Sequence, residues 1–348
     1  MRKTILVAAL CLVALTGSTQ AQNSRMPRGP RTAVLVDNDL CGDGDGLFHL
    51  VHQLLCTSSD VRGIVGAHVG AQRSWNQQAG EEQKNNAQIS VQRANEIVEL
   101  VGKTGQINVK PGAPTPMVDD STPIESEGAR LIIEEAKKAT ADKPLYLLFG
   151  GPLTDIASAW LMDPSISQNT ILVWIGGQEY SFGHPFPPQY FKDRSLVEYN
   201  LRLDVNAAKV VFNKSDLTIW QIPRDVYRQC LYSTAEMHAY VKPCGKLGAL
   251  LSDAIDSTMA NCEKYNIPMG ETYIMGDSPL VLLTSLQSGF EADPSSSHWV
   301  PTPCPKIDDN GQYQPNPTGR IIRVYTTVDT RLMFGDMVAR FQAFAKKK

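Results

Sequence analysis

Residues 33–55 read AVLVDNDLCGDGDGLFHLVHQLL, and this stretch decides the fold because it joins a strand to a helix through an acidic, glycine-rich loop. Its first four residues are apolar and rich in valine, which is typical of a buried strand. From Leu47 onward the apolar residues recur at helical spacing. A strand followed by a glycine turn and a helix is the repeating unit of α/β proteins.

Four carboxylates occupy the loop between this strand and this helix, at Asp37, Asp39, Asp43 and Asp45. Acidic side chains this close repel one another, and in a packed site they are costly to ionise unless a cation lies among them. The loop also follows a hydrophobic strand, and open α/β sheets bind ligands at the carboxyl ends of their strands. Because the donors are oxygen atoms, the loop predicts a hard cation, Ca²⁺ or Mg²⁺, rather than zinc. A solvated acidic turn without a ligand is the competing interpretation.

The order of strand, glycine turn and helix recurs further along the chain. Residues 145–149 and 171–175 are apolar strands, each followed by a glycine pair. This recurrence predicts an open, mostly parallel α/β sheet with helices on both faces. Residues 293–319 are rich in proline and glycine and are predicted to be an inserted surface excursion before a last strand at residues 320–326.

The amino-terminal residues are typical of a secretory signal peptide, predicted over residues 1–21. Arg2 and Lys3 precede an apolar stretch at residues 5–15, and cleavage is expected after Ala21. Residues 22–348 are then expected to form a single exported domain, periplasmic or extracellular. No other stretch has the roughly 18 apolar residues that a membrane span requires, so we expect a soluble mature chain.

Composition limits the classes of partner. With 42% hydrophobic and 20% charged residues, the chain can bury a sizeable core. A net charge of -3 shows no excess of basic residues, which argues against a nucleic-acid polymer as a binding partner. Beyond Cys11, six cysteines remain, an even number in an oxidising compartment, so disulfides are permitted although the sequence does not fix their pairing. Cys41, inside the acidic loop, is expected to be packed or bonded rather than nucleophilic.

Five motifs follow one another in an order that characterises a known family. They are Asp37-Asn38-Asp39 with Gly42, Asp43 and Asp45; Gly150-Gly151-Pro152-Leu153-Thr154-Asp155; Trp174-Ile175-Gly176-Gly177; Glu198-Tyr199-Asn200 with Asp204, Ala207 and Ala208; and Gly276-Asp277-Ser278-Pro279. This series resembles the inosine-uridine-preferring nucleoside hydrolases, and it runs from Val34 to about Met333. Five linked motifs are far more specific than any single one.

The resemblance implies a nucleoside hydrolase-like fold, Ca²⁺ as cofactor, and hydrolysis of the N-glycosidic bond of ribonucleosides or related N-ribosides. It implies that Asp39 is the general base that deprotonates a Ca²⁺-bound water. The implied metal ligands are Asp39, Asp45, Asp277 and the carbonyl oxygen of Gly150. The implied substrate-binding residues are Asp43, Glu198, Asn200 and Asp277. A homodimer or homotetramer is also implied, whereas the preferred base is left open.

Two positions depart from the family pattern. The first acid of the family's Asp pair falls on Gly44, which leaves Asp43 as its replacement. The family's histidine, which assists the leaving base in several members, falls on Gly276. Replacement groups for the leaving base are predicted on segments that could overhang the site: His68, Trp75, Tyr180 and His184.

Two other functions are compatible with parts of the sequence. A haloacid-dehalogenase-type phosphatase would use Asp37 as nucleophile and Mg²⁺ as cofactor, but this leaves Glu198-Tyr199-Asn200 unexplained. A calcium-dependent sugar or nucleoside binder without catalysis would be consistent with Gly276.

Overall fold

The computed structural model describes residues 32–70, 86–180, 197–287 and 296–347, and its centre is an eight-stranded sheet. The strands are Thr32–Asn38 (β1), Ser59–Gly66 (β2), Val109–Pro111 (β3), Leu145–Gly150 (β4), Thr170–Ile175 (β5), Thr218–Ile222 (β6), Leu231–Ser233 (β7), Thr272–Ile274 (β8), His298–Pro303 (β9), Lys306–Ile307 (β10), Tyr313–Gln314 (β11) and Ile321–Thr327 (β12).

The strand order in the main sheet is β3-β2-β1-β4-β5-β6-β12-β9. Every neighbouring pair is parallel except β12 with β9, which is antiparallel. Two small antiparallel pairs, β7 with β8 and β10 with β11, lie outside this sheet. The predicted open, mostly parallel α/β sheet is therefore confirmed.

Helices cover both faces of the sheet. They are Asp45–Leu55 (α1), Asn86–Leu100 (α2), Glu127–Ala136 (α3), Thr154–Met162 (α4), Tyr199–Leu203 (α5), Val205–Lys209 (α6), Arg224–Tyr227 (α7), Thr234–Glu236 (α8), Gly245–Lys264 (α9), Pro279–Ser285 (α10) and Thr330–Ala345 (α11). Side chains alternate along each strand, so that Val34 and Val36 join one hydrophobic core and Leu35 joins the other. Burial on both faces explains why the central strands read as continuous apolar runs.

Strand register places the functional loops at one edge. Asn38 at the end of β1 pairs with Gly150 at the end of β4, and Ile175 at the end of β5 pairs with Ile222 at the end of β6. The loops that follow these strands therefore leave the sheet side by side, as the carboxyl ends of parallel strands do.

The predicted surface excursion contributes to the interior. Its strand β9 extends the sheet, and its hairpin of β10 and β11 buries Cys304 and Ile307 in one of the two cores. Describing it only as a surface insertion was wrong. Its strands are short and interrupted by proline, so they lack the periodicity that identifies buried strands in a sequence.

All six cysteines of the described part are buried, and none of them forms a disulfide. Within the same part, none of the helices has both the length and the apolarity needed to cross a membrane. The predicted signal peptide lies outside the described residues.

Candidate active site

The carboxyl ends of the central strands bring the acidic loop together with a residue far along the chain. Asn38 donates from Nδ2 to Oδ2 of Asp277 over 2.7 Å. The backbone N–H of Asp277 donates to Oδ2 of Asp45, the first residue of α1, at 3.1 Å. Asp277 thus closes on the acidic loop although it lies 232 residues beyond Asp45.

Two glycines allow this close approach. A Cβ at Gly150 would lie 2.2 Å from Nδ2 of Asn38 and 2.5 Å from Oδ2 of Asp277. A Cβ at Gly46 would lie 2.4 Å from Oδ1 of Asn38. Because real Cβ atoms do not approach other atoms so closely, both positions exclude a side chain. The backbone of Gly150 therefore lies directly against Asp277, its predicted partner as a metal ligand.

The carboxyl groups of this site hold protons more strongly than isolated ones. Burial, followed by Coulombic repulsion from Asp277 and Asp43, raises the pKa of Asp39 well above its ordinary value of 3.8. The same causes in the same order raise the pKa of Asp45. Burial also raises the pKa of Asp277 to about 8, although the hydrogen bond from Asn38 opposes the shift. Carboxyl groups that repel one another in this way favour the binding of a positive charge.

The donor set fits a hard cation. Asp39, Asp45, Asp277 and the Gly150 carbonyl offer only oxygen atoms, and the buried Oδ1 of Asn38 has no hydrogen-bond partner among the described residues. The acidic side chains form no group of three with ligand atoms within 4.8 Å of one another in the described part of the chain. These carboxylates must therefore move closer together to share one ion.

One tight group of possible ligands does occur elsewhere in the described residues, at His52, Cys56 and Asp336. Nε2 of His52 lies 2.8 Å from Oδ2 of Asp336, and the guanidinium of Arg340 donates to the same oxygen. Arg340 also donates to the carbonyl of Leu55 at 3.0 Å. Because a guanidinium already neutralises this carboxylate, we assign the group as a polar tether between α1 and α11 rather than a metal site.

Glu198 and Asn200 both stand at the site and both make structural hydrogen bonds. Oε2 of Glu198 accepts the N–H groups of Gly177 at 2.8 Å and Leu201 at 3.0 Å, so this carboxylate caps α5. Asn200 donates from Nδ2 to the carbonyl of Ile175 at 2.8 Å. Glu198 is also coupled electrostatically to the acids of the site, because its charge helps to raise the pKa values of Asp39 and Asp277, although burial is the main cause.

Asp43 lies on the outer side of the acidic loop. Its Oδ2 accepts the hydroxyl of Tyr273 at 2.6 Å, and it borders a cavity of about 770 Å³ between α2 and α9. The neighbouring Gly44 faces α9, because a Cβ there would lie 2.7 Å from Cδ1 of Ile255. A side chain at position 44 would therefore point toward α9, and Ile255 would have to shift to admit it.

His68 is engaged in a different way from the predicted one. Its Nδ1 accepts the N–H of Gly70 at 2.8 Å, so Nε2 carries the proton and donates to Oγ1 of Thr154 at 2.9 Å. Thr154 in turn donates to Asp204 at 2.8 Å. The imidazole is buried and its burial lowers its pKa to about 4. His68 therefore links three loops at the strand ends instead of facing a leaving base.

The other residues predicted to assist the leaving base are Tyr180, Trp75 and His184. Tyr180 donates to Oε1 of Gln221 at 2.8 Å and packs against Tyr313, with ring centroids 5.4 Å apart. Trp75 and His184 lie outside the described residues.

Cys41 is buried, and burial raises the pKa of its thiol to about 12, which agrees with a packed cysteine rather than a nucleophile.

Asp37 is inaccessible. It is fully buried on β1, and neither carboxylate oxygen has a hydrogen-bond partner among the described residues. Burial, followed by repulsion from Asp155 and Asp39, raises its pKa well above 3.8. A phosphatase nucleophile must be ionised and reach its substrate, so this geometry does not support the phosphatase interpretation.

Sequence reasoning missed residues of α7. Arg224 pairs with Glu179 through two hydrogen bonds of 2.5 and 2.7 Å, and Tyr227 donates to Oε1 of Glu198 at 2.9 Å. The helix has only four residues, which is too short for a detectable hydrophobic period. Its position directly after β6 was the only available signal.

Several solved nucleoside hydrolases have the same fold as this chain. The purine-preferring ribonucleoside hydrolase from Gardnerella vaginalis superposes with a TM-score of 0.68 at 18% identity, covering 91% of this chain and 100% of that one. A plant nucleoside hydrolase, PpNRh1, gives 0.65 at 16% identity, covering 90% and 100%. The inosine-uridine preferring nucleoside hydrolase from Bacillus anthracis gives 0.61 at 15% identity, covering 89% and 99%. No curated protein sequence matches the chain.

A sequence model provides the family assignment that these distant structural matches cannot provide alone. The model of the inosine-uridine preferring nucleoside hydrolases matches residues 51–346, which is most of the chain. The match begins inside α1, so the acidic loop before it is placed by the structure. The chain therefore belongs to the inosine-uridine preferring nucleoside hydrolase family and is a nucleoside N-glycosyl hydrolase.

Proposed function

We propose that this protein hydrolyses the N-glycosidic bond of ribonucleosides or related N-ribosides, with Asp39 as the general base. The observation that carries the proposal is the convergence of Asp39, Asp45 and Asp277 at the carboxyl end of β1, opposite Glu198. This is the edge of the sheet at which α/β enzymes bind their substrates.

The reaction needs the chemistry that this cluster offers. Cleavage of an N-ribosyl bond passes through a sugar with oxocarbenium character, and nearby carboxylates stabilise its positive charge. Asp277, Asp43 and Glu198 repel the Asp39 carboxylate, so a cation held among these groups would keep it ionised. An ionised Asp39 beside the attacking water can accept its proton, which is the role proposed for it.

Members of this family are metal-dependent, and we propose Ca²⁺ for this one. Asp39, Asp45, Asp277 and the Gly150 carbonyl would hold the ion. Bound Ca²⁺ supplies positive charge that eases the deprotonation of water and helps to orient sugar hydroxyls. The Asn38 amide holds the Asp277 carboxylate in place for this role.

Glu198, Asn200, Asp43 and Asp277 are proposed to contact the ribose. Glu198 and Asn200 are fixed by backbone hydrogen bonds, so their remaining polar atoms are held without a large loss of side-chain entropy when a sugar binds. Glu198 capping α5 is thus compatible with sugar binding.

The cellular setting remains a proposal that rests on the sequence. We propose export through the signal peptide of residues 1–21, which predicts that the mature protein begins at Gln22 and can be checked by amino-terminal sequencing. We also propose a homodimer or homotetramer, to be measured by light scattering.

A substrate panel tests the function. The purified protein is incubated with purine, pyrimidine and nicotinamide ribosides, and free ribose is assayed with and without a chelator. We expect release of ribose from at least one riboside, its loss with chelator, and its recovery with added Ca²⁺. Absence of ribose release from every riboside in the presence of Ca²⁺ would refute the proposed function, and unchanged activity with chelator would refute the metal requirement.

A further inference from the structure

Tyr227 connects two sides of the candidate active site. Its hydroxyl donates to Oε1 of Glu198 at 2.9 Å. Its ring lies against position 276, where a Cβ would be 3.4 Å from Cδ2 of Tyr227 and 3.2 Å from Oδ2 of Asp45. Tyr227 therefore occupies the space between the proposed sugar-binding carboxylate and the acidic loop.

The two oxygens of Glu198 are used unequally. Oε2 accepts two backbone N–H groups, from Gly177 and Leu201. Oε1 accepts the Tyr227 hydroxyl, and the backbone N–H of Asn200 also stabilises the carboxylate. Tyr227 is thus the side chain that fixes the direction of Oε1, the oxygen through which Glu198 would accept a ligand hydroxyl.

The remaining contacts hold Tyr227 itself in place. It lies on the short helix α7, whose first residue, Arg224, forms a buried ion pair with Glu179. The side chains of Arg224 and Glu179 are 7% and 5% exposed, so this buried ion pair holds the start of the helix in place. The anchoring of α7 thus fixes the position of the Tyr227 hydroxyl at Glu198.

We propose that Tyr227 is a positioning residue that orients Oε1 of Glu198 toward one sugar hydroxyl and so sets the selectivity of the enzyme for ligands that carry it. The inference rests on the proposed function, since it assumes that Glu198 binds the sugar. The hydroxyl group of Tyr227 does not take part in bond cleavage. It acts through Glu198.

The test uses Tyr227→Phe, which removes only the hydroxyl, together with Glu198→Gln and the double variant. Steady-state kinetics are measured on the best riboside of the panel and on its 2′-, 3′- and 5′-deoxy analogues. Tyr232→Phe is the matched control, because Tyr232 is buried and its hydroxyl has no hydrogen-bond partner among the described residues. Thermal unfolding of each variant reports whether the fold is retained.

We expect Tyr227→Phe to raise KM about tenfold with kcat changed less than about threefold, as loss of an oriented contact does. We expect it to reduce the discrimination against the same deoxy analogue as Glu198→Gln, and against no other. In the Glu198→Gln background, Tyr227→Phe should raise KM by less than a further factor of about two, because the two residues act as one unit.

The outcomes separate the inference from the proposed function. Wild-type protein that cleaves no riboside overturns the proposed function and the inference that rests on it. An active wild type in which Tyr227→Phe behaves like Tyr232→Phe overturns the inference alone. Additive losses in the double variant, or loss of discrimination at a different hydroxyl, also contradict the assigned role.

Discussion

His68 makes the stability of this protein depend on pH in a way that can be calculated. The imidazole is fully buried, and its burial lowers its pKa from 6.5 to about 4. In the unfolded chain His68 takes up a proton near pH 6.5, whereas the folded protein keeps it neutral down to about pH 4. The neutral imidazole therefore contributes stability that is fully present above pH 6.5 and is lost as the pH falls toward 4.

The magnitude follows from proton linkage. Each pH unit below 6.5 costs about 1.4 kcal/mol while one group is protonated only in the unfolded state. At pH 5 the loss attributable to His68 is about 2 kcal/mol. His68→Gln removes the titrating group and keeps a side chain that can donate to Thr154. The variant should therefore be less stable than wild type at pH 7.5, and this difference should shrink by about 2 kcal/mol at pH 5.

Urea unfolding at pH 7.5, 6.0 and 5.0 measures the effect as the difference in the free energy of unfolding between wild type and His68→Gln. The acidic loop contributes its own pH dependence, but it is the same in both proteins and cancels in the difference. Ser252→Ala is the control, since it alters another buried polar side chain without removing a titrating group. A difference between wild type and His68→Gln that stays constant from pH 7.5 to 5 would show that the folded protein protonates His68 as readily as the unfolded chain.

Three further predictions concern the site. Asp39→Asn should lower kcat by about 10²-fold or more and leave KM within a few-fold, because the amide keeps the shape but cannot accept a proton; a change confined to KM in steady-state kinetics would contradict the base assignment. Gly150→Ala should lower stability by about 1–3 kcal/mol and weaken Ca²⁺ binding, since its Cβ would collide with Asn38 and Asp277; calorimetry checks both, with Gly335→Ala, which has open space around it, as the control. Because Gly276 offers no side chain to the leaving base, nitrophenyl riboside should turn over much faster than inosine or uridine; equal kcat values would refute this account of Gly276.

The parts of the fold that were predictable from sequence are those with strong local signals. The strands β1, β4 and β5 are buried on both faces, so their apolar runs identify them. The antiparallel strand β9 was not predicted, because Pro301 and Pro303 interrupt it and only one of its six side chains, that of Thr302, is buried. Its place in the sheet depends on pairing with β12, which is a long-range contact that local sequence does not encode.

In the candidate site, too, some residues were predictable from the sequence and others depend on long-range packing. Asp39 directly follows β1 and Asp45 begins α1, so the local pattern singled them out, whereas Asp277 lies between β8 and α10 and was predicted from the resemblance to the family. Tyr227 was not, because its role depends on how α7 packs against Glu198. His68 was predicted from its position after β2, but its hydrogen bonds to Gly70 and Thr154 assign it to structure. Position in a loop indicates which residues can reach the site, whereas hydrogen-bond geometry decides what they do there.

The acidic loop is held at both ends by regular secondary structure. Asp39 follows the end of β1 directly, and Asp45 is the first residue of α1, so a rigid element fixes the backbone at each end of the loop. Between these ends, Gly42 and Gly44 pass close to Asp39 and to α9. A loop whose ends are fixed by flanking elements can vary between them without moving those elements. Asp39, Asp45 and Asp277 can thus keep their relative arrangement, and Asp43, which is also proposed to contact the ribose, is held by the hydroxyl of Tyr273.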